Sequence, residues 1–197
     1  MKEFWDERFE GEEFIYGKSP NQFFREQLQS LKPAKLLLPC EGEGRNAVFA
    51  ASQHWQVDAF DQSSMGKQKA EQLAKEFNVH INYQLGDVLE FDYGENKYDA
   101  IALIYAHFPA SIRKPVHEKC LQALKPGGII MMEAFNPLQL NNNSGGPKSE
   151  DMLYTMEMLT QDFKGMHFQL LRNDRIVLEE GAFHKGPANV LRMVAKK

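Results

Sequence analysis

Leu36–Asn46 reads LLLPCEGEGRN. An aliphatic run breaks off in a turn with two glycines one residue apart, Gly42 and Gly44, and passes into a segment of helical composition, Arg45–Gln53. A strand, a glycine turn and a helix in that order open a nucleotide-binding βα loop, because glycine lets the backbone approach a ligand closely. Such loops usually carry an acid near the end of the strand and a glycine at the first turn position. Leu38 and Cys40 occupy those places here, and the acid falls at Glu41 instead.

Outward from this stretch the chain alternates. Gln56–Phe60 is a second strand. Ser63 or Ser64 caps a helix whose apolar positions Met65, Ala70, Leu73, Ala74 and Phe77 keep helical spacing. Val79–Leu85 is a third strand. Tyr98–Tyr105 is an apolar run suited to burial on both faces. Ser111 caps a helix ending at Leu124, with Pro115 in its first turn, and Lys125–Gly128 (KPGG) stops it before the strand IIMMEAF. Strands alternating with helices predict an α/β domain with a parallel sheet. His167–Glu180 and Ala188–Lys196 read as a closing antiparallel hairpin. Asn141–Ser149 (NNNSGGPKS) reads as a flexible surface loop before a helix near Thr155–Phe163.

Composition sets the outer bounds. The 197 residues fit one domain, with a net charge of −4 and 43% hydrophobic residues. No Lys/Arg-rich block points to nucleic acid. Two cysteines make no disulfide framework and lack metal spacing, and the scattered histidines predict no metal. No apolar run approaches the ~20 residues of a membrane span. The expectation is a cytoplasmic protein, monomeric or weakly homodimeric, whose partner is a small molecule.

Three features fall at successive strand ends: Gly42-Glu-Gly44, Asp61 and Asp87. In an open parallel sheet these ends converge on one ligand site. An acid after the second strand suits ribose hydroxyls, and Asp87 with Val88 suits an adenine. Gly42-x-Gly44-x-x-Ala47 with Asp61 also satisfies a dinucleotide fingerprint, which keeps a small NAD-dependent oxidoreductase open. Tyr93-Gly-Glu-Asn-Lys97 spells the Tyr-x-x-x-Lys of short-chain dehydrogenases, but Gly94 and Asn96 deny it the helical turn that pair requires.

In register, GEGRNAVFAA, Asp61, GDVLEF, YDAIALIYAHF and LKPGGIIMMEAF resemble the class I S-adenosylmethionine (SAM)-dependent methyltransferases. WDERF…YGKSPNQFF resembles, within them, the tellurite-resistance-type small-molecule methyltransferases. The resemblance implies a Rossmann-like three-layer sandwich, a mostly parallel seven-stranded sheet with an antiparallel strand from the C-terminal hairpin. It implies one methyltransferase domain over 1–197, with residues 1–31 as an N-terminal cap. Glu41, Gly42 and Gly44 would pass beside the methionine part of SAM. Asp61 and Gln62 would take the ribose and adenosine edge, and Asp87 and Val88 the adenine. Ala106 and His107 would border the sulfonium, with Tyr16, Gly17 and Asn21 in the lid. The implied activity is methyl transfer to a small acceptor such as a thiol or a chalcogen oxyanion. The altered first loop keeps a non-catalytic SAM-binding protein as another reading. Where the acceptor needs a base, His107 and His184 are the catalytic candidates, with Tyr105, Arg175 and Arg192 as orienters.

Overall fold

The computed structural model describes residues 2–197. Two short helices, α1 (Lys2–Phe9) and α2 (Gln22–Gln29), precede the first strand. The alternating part follows: β1 (Lys35–Pro39), α3 (Arg45–Ser52), β2 (Gln56–Asp61), α4 (Ser64–Glu76), β3 (Asn82–Leu85), β4 (Tyr98–Ile104), α5 (Ala110–Ala123) and β5 (Leu124–Phe135). Two 3-10 turns lead to α6 (Met156–Asp162), β6 (His167–Glu179) and β7 (Lys185–Lys196).

The seven strands order as β3-β2-β1-β4-β5-β7-β6. β7 alone runs against its neighbours, antiparallel to both β5 and β6. Successive side chains of a strand face opposite sides, so Leu36 and Leu38 pack with α2, α3 and α4, while Leu37 packs with α5 and α6. Two apolar layers therefore sandwich the sheet, as expected. The antiparallel β7, inserted between β5 and β6, departs from the all-parallel dinucleotide fold. Strand order reverses between β1 and β4, which puts the switch-point crevice at the stretch Pro39–Gly44.

Several boundaries differ from the sequence reading: β5 runs from Leu124 through KPGG, β7 begins at Lys185 rather than Ala188, and the starts of β3 and α5 move for identifiable reasons. β3 begins at Asn82, not Val79, because α4 ends in a Schellman motif that uses the intervening residues. Asn78 sits at φ 53, its N–H bonds Lys75 O at 3.1 Å, and the Val79 N–H bonds Ala74 O at 2.9 Å. α5 starts after Pro109, not Ser111, so Pro115 falls in the second turn. A proline there removes the donor for the carbonyl of residue 111, which belongs to an exposed residue. Two contacts between α5 and α6 hold the helix in place: Arg113 Nε and His117 Nδ1 lie 2.7 and 2.9 Å from Asp162 Oδ2.

Candidate functional site

Both strands that flank the switch point leave the sheet through a left-handed residue, Cys40 (φ 56) after β1 and Tyr105 (φ 53) after β4. This conformation costs non-glycine residues about 1–3 kcal/mol and gathers at functional sites. Both residues line a cavity of about 770 Å³ over the strand ends.

Asp61 occupies one side of it. Gly42 N–H donates to its Oδ2 at 3.1 Å, and Ser63 N–H to its Oδ1 at 2.9 Å. The loops after β1 and β2 are thereby tied through one carboxylate. Burial raises its pKa despite these donors. Each oxygen keeps acceptor capacity, and the residue lines the cavity together with Gly42 and Gln62. Asp87 and Val88 line it from the third strand's exit, where Asp87 Oδ1 accepts the Leu89 N–H. Phe108 and Ile112, which the sequence reading passed over, complete an apolar slot beside Val88.

Glu41 borders the cavity, but its carboxylate also caps α3. Oε1 accepts the N–H groups of Asn46 and Ala47, each at 2.8 Å, and Oε2 faces the Asn46 side-chain amide at 3.3 Å. Burial outweighs these donors and raises its pKa to about 7. Gly44 does not line the cavity. It caps α3 at φ 85, and a Cβ there would lie 2.5 Å from the Ala70 Cβ, so its role is the close approach of α3 to α4. Gly17 and Asn21 also stand outside. Asn21 is buried, caps α2, and donates from Nδ2 to Glu133 Oε1 and Glu180 Oε1.

α1 roofs the cavity with Phe4, Trp5, Arg8 and Phe9. Asp6 clasps the start of α4, accepting from Ser63 Oγ at 2.7 Å and Met65 N at 3.2 Å. Phe9 fills the slot between two glycines, since a Cβ on Gly42 or Gly66 would approach its ring to 3.2 Å. Glu43 holds the following segment, accepting from Ile15 N, Tyr16 N and Lys69 Nζ. The available signal for this roof was Trp5 and Phe9 at i and i+4 on an otherwise charged segment. Glu43 gave no local signal, because its partners lie 26 to 28 residues away.

The opposite end is aromatic. Tyr16, Tyr105, Ala106, His107, Phe135 and His184 border it. His107 spends both ring nitrogens on main chain: Nδ1 lies 2.7 Å from Met152 O, and Phe135 N–H donates to Nε2 at 3.1 Å. Burial lowers its pKa to about 4. With its lone pair committed, His107 is a wall and a cross-link, which removes the general-base role considered for it. His184 keeps a freer ring. Arg192 does not orient it, being held by Glu133 and Asp174, and Arg175 lies exposed on β6. Tyr105 OH donates to Glu133 Oε1 at 2.8 Å.

The stretch 141–149 forms part of the wall through Gly146, Pro147, Lys148 and Ser149. Its Ser144 is buried, receives Gln139 Nε2 at 3.0 Å and donates to Pro187 O. Tyr93 and Lys97 lie in a turn, with Tyr93 OH donating to Val88 O and Lys97 facing Asp58, so no dehydrogenase pair forms. Among the described residues, no cluster of His, Cys, Asp or Glu is arranged to hold a metal, and no helix is long and apolar enough to cross a membrane.

Residues 38–128 match the family model described as "Methyltransferase domain", from the end of β1 into β5. A sterol 24-C-methyltransferase of Yarrowia lipolytica is 27% identical over 81 residues, 41% of this chain and 21% of that protein. The chain thus spans about a fifth of the curated relative it matches. Among solved structures, TehB from Haemophilus influenzae superposes with a TM-score of 0.73 at 14% identity, covering 100% of this chain and 66% of that one. A SAM-dependent methyltransferase of Methanosarcina mazei gives 0.71 at 13% identity, covering 91% and 98%. These structures share the fold; the family match covers the strand ends that carry Asp61 and Asp87. Residues 38–128 thus match a methyltransferase domain, set in a fold that this chain shares with solved SAM-dependent methyltransferases.

Proposed function

We propose that the chain transfers a methyl group from SAM to a small-molecule acceptor inside the roofed cavity. The observation that carries this reading is the carboxylate of Asp61. Backbone donors from two loops fix it, and both of its oxygens keep capacity for a ribose diol. Asp87, Val88, Phe108 and Ile112 would hold the adenine, and the backbone at Glu41–Gly42 the methionine part. SAM supplies a methyl group on a sulfonium, so that the acceptor's electron pair takes the methyl and the carbon–sulfur pair returns to sulfur. The protein's share is to hold the two reactants in line and exclude water. α1 does the second, packing Phe9 against the glycine slot. The cavity of about 770 Å³ has to house the cofactor as well, which favours a small acceptor.

Calorimetric titration with SAM, S-adenosylhomocysteine and NADH tests the reading. SAM and S-adenosylhomocysteine are expected to bind and NADH to fail; NADH binding without SAM binding overturns it. Asp61→Ala is expected to weaken S-adenosylhomocysteine by ~1.5–3 kcal/mol, the value of hydrogen bonds to a charged group.

A further inference from the structure

The turn between β6 and β7 carries a carboxylate and an imidazole that the cofactor half of the site does not use. His184 Nδ1 lies 3.5 Å from Glu180 Oε2, and this buried nitrogen makes no hydrogen bond. The ring stands among Tyr16, Tyr105 and Phe135, with centroids 4.5, 4.6 and 5.5 Å away. It borders the cavity on the side away from Asp61 and Asp87. Glu180 is fixed from two other directions, by Arg45 Nη2 at 2.9 Å and Asn21 Nδ2 at 3.0 Å. The turn itself is closed by the Glu180 N–H on His184 O at 2.8 Å.

Burying an imidazole and a carboxylate side by side is expensive unless each group is hydrogen-bonded or paired. Asn21 and Arg45 account for two faces of Glu180; the remaining face points at Nδ1. A carboxylate behind one ring nitrogen, with the ring bordering a reaction cavity, is the geometry that orients a general base, and such contacts are commonly loose before substrate binds. A thiolate acceptor needs no base, so the pair points away from thiols. The surrounding rings suit a flat molecule.

We propose that Glu180 positions His184 as the general base for a small planar acceptor bearing a weakly acidic O–H or N–H, such as a phenol. This rests on the methyltransferase reading above. The acceptor's proton passes to Nε2 of His184 while Nδ1–H is held by Glu180. The electron pair left on the acceptor oxygen or nitrogen takes the methyl group, and the proton leaves His184 to solvent. Glu180 is a positioning residue; of the two, only His184 touches the acceptor.

The charges facing His184 set the direction of its pH response. Burial lowers its pKa, and Arg45 adds to this, while Glu180 and Glu133 pull it back up. At the same aromatic end, His107 acts on it as a like charge, and Tyr16 and Tyr105 flank the ring. The base form is lost as pH falls through this lowered pKa. Removing the Glu180 charge lowers that pKa further, so the acidic limb of the rate profile must move to lower pH as the plateau falls.

The test uses the full chain. In the S-adenosylhomocysteine complex, nitrogen NMR of the His184 ring should show Nδ1 protonated and Nε2 bare at neutral pH. With SAM, catechol and thiophenol are offered as acceptors. His184→Gln should lower catechol methylation about 100-fold or more, the usual range of a general base, and thiophenol methylation far less. Glu180→Gln should lower kcat on catechol with KM nearly constant and shift the acidic limb downward. Retained S-adenosylhomocysteine affinity certifies that both variants are folded. A protonated Nε2, an unmoved limb, an equal fall for both acceptors, turnover of thiophenol alone, or turnover of neither while S-adenosylhomocysteine binds overturns the proposal. Failure of wild-type protein to bind S-adenosylhomocysteine would sink the methyltransferase reading instead.

Discussion

At Glu41, three hydrogen-bond donors favour the ionised carboxylate while burial opposes it, and the balance lies at about 7. A ligand ammonium reaching this carboxylate would draw its pKa down. Binding of SAM should then release a proton, with affinity rising as pH rises toward 7. Titration in buffers of different ionisation enthalpy measures that release, and a binding heat independent of buffer would remove Glu41 from the methionine end. Gly44 carries a different kind of prediction. Gly44→Ala should destabilise the fold by ~2–4 kcal/mol, combining left-handed backbone strain with overpacking against Ala70. Urea unfolding checks it, with the midpoint falling at constant slope. These two residues also mark how far the sequence could be read. It located Glu41 and both glycines in the right loop, because strand-end position is a local property. It could not separate Gly42, which faces the cavity, from Gly44, which faces α4, since that depends on a helix 20 residues further on.

Among elements, the long apolar runs of β1, β4 and β5 were legible because strands buried on both faces have a composition of their own. The start of β3 was not, because the Schellman motif at Asn78 competes for the same residues. The resemblance implied a cap over residues 1–31 with Tyr16, Gly17 and Asn21 in its lid; of these three Tyr16 borders the cavity, and α1 adds Phe4, Trp5, Arg8 and Phe9. Its clasp is the Asp6 carboxylate on the first turn of α4, and the Ser63 hydroxyl keeps that acid below its ordinary pKa. Asp6→Ala should raise the dissociation rate of S-adenosylhomocysteine several-fold and make α1 more sensitive to protease. Stopped-flow displacement and limited proteolysis test this, and unchanged rates would reduce α1 to passive packing.

For the whole molecule, buried histidines and buried glutamates set the response to acid. His107 drops from 6.5 to about 4, with His117 and His184 also lowered by burial. The unfolded chain binds protons at these sites before the folded chain does, so stability falls as pH drops below 6.5. Glu41, raised from 4.5 to about 7, has the opposite sign and offsets part of the loss. Glu41→Gln should therefore steepen the fall of the urea midpoint between pH 7 and 4.5, and an identical slope would contradict the assignment. The interlock between the β6–β7 turn and the N-terminal segment acts at this scale too. Ala182 N–H bonds Ile15 O at 2.9 Å, Arg45 reaches both Tyr16 O and Glu180, and a Cβ on Gly181 would collide with the Ile15 carbonyl. The cover is thus latched twice, to α4 through Asp6 and to the β6–β7 turn through Ile15 and Arg45, so cleavage beside Phe183, 45% exposed at that turn, is expected to loosen the second latch and leave the first.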